Sequence, residues 1–251
     1  MESGLETRFA ISLNGLDKRF GSTHAVRDLS LNIRQGELYA LLGPNAAGKT
    51  TTLRMTVGIL TPDRGDALIL GHSVKDRPQQ AKQELAYLPD EPMLYGKLRP
   101  LEYLEFVAGL WGTPPEDAAV YAGELLQWLN LSQTRYHRIE TFSRGMKQKL
   151  ALAGALIHRP KVMILDEPLT GLDAAAAKEV KDLLVDFVRQ GKTVVLTTHI
   201  MEIAERLAER IGIISNGQII AEGTLDELRG RSGEQGGTLE DVFLDLVQEE
   251  A

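Results

Sequence analysis

The sequence contains no cysteine, which excludes disulfide bonds, thiolate metal sites and a cysteine nucleophile. It lacks a long hydrophobic run as well. The longest stretch without a polar side chain is Leu150–Ile157, much shorter than the roughly 18 residues that span a bilayer. Basic residues are not in excess, because 28 lysines and arginines face 35 acidic residues, for a net charge of −7. No overall positive field therefore favours nucleic acid as a partner.

The remaining composition is that of an ordinary folded chain. Of its 251 residues, 43% are hydrophobic and 25% are charged, which excludes disorder as the main state. Residues 1–15 carry acids where a signal peptide has basic residues, and no apolar segment follows. We therefore expect a soluble, intracellular protein with one large domain or one domain that carries an inserted lobe.

Hydrophobic periodicity predicts alternating strands and helices. The predicted strands are Phe9–Leu13, Leu29–Ile33, Leu38–Leu42, Ala67–Leu70, Ala86–Leu88, Val162–Leu165 and Thr193–Thr197, with a hairpin over Ile211–Ala221. The predicted helices are Gly48–Ile59, Asp76–Leu85, Leu101–Trp111, Glu116–Leu131, Gly145–His158, Ala174–Arg189, Ile200–Ala208 and Leu239–Val247. A glycine-rich stretch at 230–237 precedes the last helix.

Helical periodicity dominates between residues 89 and 160, whereas strands and helices alternate on either side. We expect one domain over 1–229, with an α/β core at 1–88 and 161–229 and an inserted helical lobe at 89–160. Residues 230–251 are expected to form a C-terminal docking tail.

The segment GPNAAGKT fits the phosphate-loop pattern G-x-x-x-x-G-K-[ST], between a predicted strand and a predicted helix. Its glycines let backbone N–H groups curl toward phosphate oxygens, and the helix adds its positive dipole end. Lys49 is the expected partner of the β- and γ-phosphates, and the Thr50 hydroxyl is the expected Mg²⁺ ligand. A glycine turn before an ordinary helix is the alternative. The pattern predicts a nucleoside triphosphate site formed by Gly43, Pro44, Asn45, Ala46, Ala47, Gly48, Lys49, Thr50 and Thr51.

Two adjacent carboxylates, Asp166 and Glu167, end the buried strand that begins at Val162. At the carboxyl edge of a parallel sheet such groups face the ligand crevice, and strand alternation separates their directions. Asp166 is therefore expected to hold Mg²⁺ and Glu167 to polarise an attacking water. A solvated strand end is the alternative, which the upstream phosphate loop disfavours.

Together these motifs resemble those of the ATP-binding subunit of ATP-binding cassette (ABC) transporters, over nearly the whole chain. The segment Phe142–Gln148, FSRGMKQ, is similar to the LSGGQ signature of that family. Thr170–Asp173 matches its D-loop, and His199 matches its switch histidine. Phe20 lies where the family has an aromatic residue that stacks on adenine. The other histidines, His24, His72, His137 and His158, are assigned structural roles.

The resemblance implies a P-loop ATPase core with a parallel sheet, an N-terminal antiparallel β subdomain and an inserted α-helical signature subdomain. It also implies ATP hydrolysis with Mg²⁺, in which Lys49, Glu167 and His199 are the catalytic residues. The family works as a head-to-tail dimer with ATP between one phosphate loop and the partner's signature. The additional nucleotide contacts that this implies are Ser143, Arg144, Gly145, Met146 and Asp173.

Four residues depart from the commonest family pattern. Ala46 replaces a glycine of the phosphate loop, and alanine tolerates most loop geometries except positive φ. Arg144 and Met146 replace a glycine and the glutamine of the signature. Asp90 occupies the position of a metal-binding glutamine, so it is either a Mg²⁺ ligand or a solvated loop residue.

These variants, together with the segment GTLEDVF in the tail, resemble the branch that serves drug, antibiotic and lipid exporters. The implied partners are an integral membrane permease, near Pro92–Arg99, and a second ATP-binding subunit, with a homodimer expected. The protein would then be cytoplasmic and peripheral on the inner face of the membrane. Two alternatives are a soluble ABC-type ATPase in assembly of a cellular component and a nucleotide sensor without hydrolysis.

Overall fold

The structure is a computed structural model that describes residues 8–232 and 237–248. Its strands are β1 (Phe9–Phe20), β2 (Thr23–Arg34), β3 (Leu38–Leu42), β4 (Arg64–Ile69), β5 (His72–Ser73), β6 (Leu85–Leu88), β7 (Val162–Asp166), β8 (Thr193–Thr198), β9 (Arg210–Ser215) and β10 (Gln218–Gly223). Its α-helices are α1 (Lys49–Thr56), α2 (Pro78–Gln83), α3 (Pro100–Leu110), α4 (Pro115–Trp128), α5 (Arg144–Leu156), α6 (Ala174–Arg189), α7 (Met201–Leu207), α8 (Leu225–Ser232) and α9 (Leu239–Gln248). Across both ranges, every helix is too short or too polar to cross a membrane.

Two sheets form the core. The N-terminal sheet is antiparallel, with the order β2-β1-β4-β5. The second sheet has the order β10-β9-β3-β8-β7-β6 and is parallel from β9 to β6, with β10 antiparallel at its edge. Strands β3, β7 and β8 are buried along their whole length, as strands are when both faces of a sheet are covered. The α/β class that the sequence predicts is confirmed.

Apolar side chains fill the space on each face of the parallel sheet. One cluster lies between the two sheets and includes Ile11, Leu41 and Ile214. The other covers the opposite face, includes Leu184 of α6, and continues through Leu126 of α4 into the helical lobe. Helices α3, α4 and α5 lie between β6 and β7 in sequence, as the prediction of an inserted helical subdomain requires.

The carboxyl ends of the parallel strands meet at one edge of the second sheet. The end of β3 pairs with Thr198 of β8. Asp166, the last residue of β7, pairs with Thr197, and β6 ends beside it at Leu88. The loops that leave these strands are therefore neighbours, at the edge where open α/β sheets bind their ligands.

The structure differs from the predicted elements mainly at their ends. Helix α4 stops at Trp128, three residues before the predicted end, because Asn130 has a φ of 56° that a helix cannot continue. Strands β1 and β2 extend to a tight turn between Phe20 and Thr23. Helix α8 was not predicted, since its only buried residue is Leu228 and it shows no apolar stripe.

The C-terminal helix α9 packs against α7, α8 and β10 and buries Leu239, Val242 and Leu246.

Two of the predictions fall partly outside the described residues. They concern residues 233–236 of the glycine-rich stretch and residues 1–7 of the N-terminal segment, for which no signal peptide was predicted. The domain limits 88/89, 160/161 and 229/230 stay a proposal, as does the docking role of the tail.

Candidate functional site

The loop between β3 and α1 requires its glycines. Gly48 precedes α1 with a φ of 105°, in a region that side chains disfavour. A Cβ atom at Gly43 would collide with the carbonyl oxygen of Ile214. Helix α1 has no side-chain cap at its start, and the first N–H groups of a helix lack partners within the helix. This end of α1 therefore suits an anionic ligand.

Ala46 has a φ of 63°, which is the one loop geometry that alanine tolerates poorly. For an L-residue this region costs roughly 1–2 kcal/mol relative to ordinary backbone. The neighbouring Ala47 is buried and donates its N–H to the carbonyl oxygen of Pro44 at 3.2 Å. The loop thus keeps its curled geometry although an alanine replaces the glycine.

Lys49 is folded into the loop that precedes it. Its Nζ donates to the carbonyl oxygens of Gly43 at 2.6 Å and Pro44 at 3.1 Å, and the side chain is buried. Burial lowers the pKa of Lys49, whereas the nearby carboxylates of Glu167 and Asp166 act to raise it. The ammonium is thus held at the acidic edge of the sheet, inside the phosphate loop.

The two adjacent carboxylates have different partners. Asp166 is 3% exposed and accepts a hydrogen bond of 2.6 Å from the hydroxyl of Thr197. Glu167 has a φ of 50°, and its N–H donates to the carbonyl oxygen of Thr197 at 3.2 Å. The left-handed backbone of Glu167 turns the chain away from the sheet directly after Asp166, so the two side chains separate.

Glu167 contacts His199 at the end of β8. Its Oε2 lies 2.9 Å from His199 Nδ1 and also accepts a bond of 3.2 Å from the hydroxyl of Thr170. Glu167 is only partly exposed, whereas the His199 side chain is 54% exposed. A carboxylate and an imidazole are therefore joined beside the phosphate loop, with the imidazole open to solvent.

An open cleft of about 680 Å³ runs along this edge. The predicted site residues that line it are Phe20, Asn45, Ala46, Ala47, Gly48, Lys49, Thr50, Thr51, Asp90, Asp166 and Glu167. The half-exposed ring of Phe20 lines the cleft, with the Lys18 ammonium 5.7 Å from its centre. The structure thus brings together an aromatic face, a phosphate loop and three carboxylates.

Sequence reasoning missed part of the cleft wall. The additional lining residues are Ser22, Thr23, His24, Ala25, Arg27, Asn216 and Gly217. The Asn-Gly pair is a strong hairpin-turn signal, and it does form the turn between β9 and β10. His24, for which sequence reasoning gave only a structural role, both faces the cleft and contacts Asp17 at 2.9 Å.

Asp90 lies in the same cleft, on the segment that follows β6. Partial burial raises its pKa, and the negative charges of Asp166 and Glu167 add to this rise. The Arg144 guanidinium acts in the opposite direction. Asp90 is exposed and lies in the same cleft as Asp166 and Glu167, so a Mg²⁺ ligand and a solvated loop residue both fit its position.

The signature residues lie elsewhere. Ser143, Arg144, Gly145, Met146 and Asp173 are not among the residues that line the cleft. The Ser143 hydroxyl caps α5 and accepts from the Met146 N–H at 3.3 Å. Asp173 caps α6 in the same way.

The chain also resembles known proteins in sequence. The family described as "ABC transporter" matches residues 26–170, more than half of the chain. The probable multidrug ABC transporter ATP-binding protein YbhF of Escherichia coli is 35% identical over 242 residues, which are 95% of this chain and 42% of that protein. The linearmycin resistance ATP-binding protein LnrL of Bacillus subtilis is 35% identical over 89% of this chain and 72% of its own length. The daunorubicin/doxorubicin resistance ATP-binding protein DrrA of Streptomyces peucetius is 37% identical over 89% of this chain and 68% of its own.

The chain also resembles solved structures in fold. An ATP-binding subunit of an ABC transporter superposes with a TM-score of 0.87 at 31% identity, over 94% of this chain and 99% of that one. A dimeric ATP-binding cassette in a post-hydrolysis state, bound to ADP and phosphate, superposes with a TM-score of 0.78 at 25% identity, over 86% of this chain and 98% of that one. The chain therefore belongs to the ABC transporter family, and its fold is that of the family's ATP-binding subunits.

Proposed function

We propose that this chain binds Mg-ATP and hydrolyses it, in a dimer that drives export of a substrate through a separate membrane permease. The observation that carries the proposal is the contact of Glu167 with His199, 2.9 Å apart, in which Glu167 lines the same cleft as the phosphate loop. A carboxylate base joined to an imidazole next to a phosphate site is suited to activating water.

Binding of ATP uses two parts of the cleft wall, the ring of Phe20 and the phosphate loop. Phe20 is placed to stack on the adenine ring, and the N-terminus of α1 is placed to bind the phosphates through its N–H groups. Lys49 exchanges its carbonyl contacts for the β- and γ-phosphates, which compensate its buried charge more fully. Burial lowers the pKa of Lys49, so the anionic ligand restores the tendency of this ammonium to stay charged.

The donors in the cleft also fit Mg²⁺. Thr50, Asp166 and Asp90 offer one hydroxyl and two carboxylates. Among the residues that the structure describes, no group of three or more acidic or histidine side chains could hold a metal alone. This agrees with Mg²⁺, which usually takes one or two carboxylates and completes its shell with phosphates and water. When bound, the ion neutralises charge on the phosphates.

The hydrolytic step is assigned to Glu167 and His199. Glu167 accepts the proton of the attacking water, while His199 orients the water and contacts the γ-phosphate. Thr170 donates to the same carboxylate oxygen at 3.2 Å and so restrains its rotation. The phosphate is transferred to water, with ADP as the leaving group.

The signature supports a dimer. Because Ser143 and Gly145 lie outside the cleft of their own chain, a second copy is needed to bring such residues to the γ-phosphate. The dimeric relative bound to ADP and phosphate supports this arrangement. We assign Arg144, Met146 and Asp173 to the same contact with the partner's nucleotide.

An apolar surface on the helical lobe supports a membrane partner. Met93 is 94% exposed and Leu110 71% exposed, and Tyr95, Phe106 and Trp111 are exposed beside them. We call these five residues the lobe patch. Met93 and Trp111 also line a cavity of about 260 Å³ between β6 and the lobe. Clustered exposed apolar side chains of this kind mark protein interfaces. We assign the lobe patch to the permease, which places the chain on the inner face of the membrane.

The proposal of export follows from the relatives whose names describe drug resistance. Because the chain spans only 42% of the length of YbhF, the partners and substrate of that protein are not transferred directly. An antibiotic or other drug-like compound is the substrate class that we propose.

The test is Glu167→Gln in the full chain. The amide keeps the shape of the side chain but cannot accept the proton, which removes about 10²–10⁴ in hydrolysis rate. Loss of a negative charge beside the γ-phosphate also favours a closed dimer around ATP. Light scattering with and without Mg-ATP should show an ATP-dependent dimer. A variant that binds ATP and stays monomeric at high concentration would contradict a homodimer, and one that retains hydrolysis would contradict the role of Glu167.

A further inference from the structure

Arg144 is one of the residues that depart from the family pattern. Its side chain packs against the loop of the same chain that contains Gly171. A Cβ atom at Gly171 would lie 2.6 Å from Nη1 and 2.7 Å from Cζ of Arg144. The guanidinium thus occupies the space that a side chain at position 171 would need. Gly171 has a φ of 71°, a backbone conformation that favours glycine, and the absence of a side chain there leaves room for the guanidinium.

Gly171 belongs to the loop that positions Glu167. The preceding Thr170 is bonded to Glu167 twice, by its N–H to the backbone carbonyl at 3.2 Å and by its hydroxyl to Oε2 at 3.2 Å. The next turn, from Leu172 N–H to the Leu169 carbonyl oxygen, is 3.4 Å long. These bonds are at the long end of the hydrogen-bond range.

Glu167 needs support from outside this loop. Its φ of 50° is a conformation that costs of order 1–3 kcal/mol in a residue other than glycine, and it persists only where surrounding structure enforces it. The loop therefore has to be held by contacts with another element.

Strand β8 holds Glu167 itself, through the carbonyl oxygen of Thr197 at 3.2 Å, and helix α5 holds the loop that follows. Gln148 is buried and donates through Nε2 to the carbonyl oxygen of Pro168 at 3.1 Å, at the residue after Glu167. Lys149 forms an ion pair of 2.7 Å with Glu179 of α6, beyond the loop. Arg144 is a further α5 residue near this loop, because its guanidinium lies against Gly171.

The charge of Arg144 also suits this position. It lies close enough to Asp90 to act on the pKa of that carboxyl, against the raising effects of burial, Asp166 and Glu167. Asp90 and Arg144 both depart from the family pattern, and their charges are opposite. The arginine thus adds a positive charge to an edge of the sheet that carries three acids.

We propose that Arg144 is a positioning residue for Glu167 of its own chain, acting through Gly171 and Thr170. The inference rests on the proposed function, in which Glu167 is the base. It assigns the signature arginine an effect within one chain, in addition to the signature's contact with the partner's nucleotide.

The experiment compares Arg144→Gln, Arg144→Lys and Arg138→Gln in the full chain. Arg138→Gln is the matched control, since Arg138 is an exposed arginine of the same lobe that faces Glu140 at 3.8 Å. ATP turnover gives kcat and KM, and hydrogen–deuterium exchange without nucleotide follows the amides of Thr170 and Leu172. We expect Arg144→Gln to lower kcat roughly tenfold, to leave KM within about twofold, and to speed exchange at both amides. Arg144→Lys should recover part of both effects, and Arg138→Gln should equal the wild type.

A different pattern would overturn the inference. A raised KM with unchanged kcat and unchanged exchange would mean that Arg144 serves the nucleotide across the dimer. Equality of Arg144→Gln and Arg138→Gln in all measurements would mean a solvated arginine. If the wild-type chain shows no turnover, the proposed function fails, but the exchange comparison still decides whether Arg144 holds the loop.

Discussion

The starts of α1 and α5, which we assign to the same nucleotide in the proposed dimer, are built in different ways. Helix α1 follows Gly48 and has no side-chain cap, so its first amides are left for phosphate. Helix α5 starts with Ser143, whose hydroxyl already accepts from its own helix at 3.3 Å. The first lies in a cleft with the acids of the sheet edge, whereas the second lies outside it. In the proposed dimer, one start binds the nucleotide of its own chain and the other meets the nucleotide of the partner.

Removal of the charge at the first helix start should have the largest effect. Lys49→Ala removes the buried ammonium that we assign to the β- and γ-phosphates. Charge-assisted bonds of this kind contribute about 1.5–3 kcal/mol, which corresponds to roughly 10- to 100-fold in affinity. Titration with a fluorescent ATP analogue measures the loss, and Lys147→Ala on α5 is the control. An affinity within about twofold of the wild type would mean that the phosphate loop is misassigned.

A change at the second helix start should separate dimer formation from nucleotide binding. In the Glu167→Gln background, Ser143→Arg places a bulky side chain where the partner's γ-phosphate would bind. We expect light scattering to show a monomer with Mg-ATP, while the affinity of the monomer for ATP stays within about twofold. Gln133→Arg, at an exposed position of the same lobe, should leave the dimer intact. A dimer that survives Ser143→Arg would argue against a composite site.

Variants of the lobe patch test whether the helical lobe binds the permease through a surface separate from the signature. Met93→Asp places a charge on a residue that is 94% exposed, so folding should be unaffected. We expect loss of co-purification with the permease and unchanged ATP affinity. Val120→Asp alters a 65% exposed apolar residue on α4 and should have no such effect. Equal retention of the permease by both variants would exclude the lobe patch as the docking surface.

The smallest expected effect concerns the strain in the phosphate loop. Ala46→Gly relieves a left-handed alanine but increases the freedom of the unfolded chain, so the free energy of unfolding should rise by only about 0.5–1 kcal/mol. Urea denaturation measures it. Ala47→Gly is the matched control, since Ala47 has no positive φ and should lose stability. A loss in both variants would show that the loop does not strain Ala46.

The sequence predicts the parts of the site that are local in the chain. The pattern of Gly43–Thr50 carries its own geometry, and the limits predicted for α6 agree with the structure. The pairing of Glu167 with His199 is not local, since it depends on neighbouring β7 and β8. This contact was not predicted from the sequence, because only the role of His199 was taken from family resemblance and Glu167 was argued separately.

Other features could not be predicted because they arise from packing. The β1–β2 turn brings Thr23 and Ala25 to the cleft, and no pattern in their segment indicates a ligand. Arg144 shows the same limit. Its replacement of a glycine is visible in the sequence, but its contact with Gly171 depends on how α5 lies against the loop after β7.

The turn between β9 and β10 has a consequence for how nucleotide enters and leaves. Gly217 donates to the carbonyl oxygen of Ala47 at 2.9 Å and accepts from the Arg27 N–H at 2.9 Å. One residue therefore fastens the phosphate loop to the strand that forms the opposite wall of the cleft. The distance between the two walls is fixed by the main chain, so they move as one body. In the proposed dimer, exchange of ADP for ATP would therefore depend on the partner and the helical lobe moving away, rather than on the cleft becoming wider.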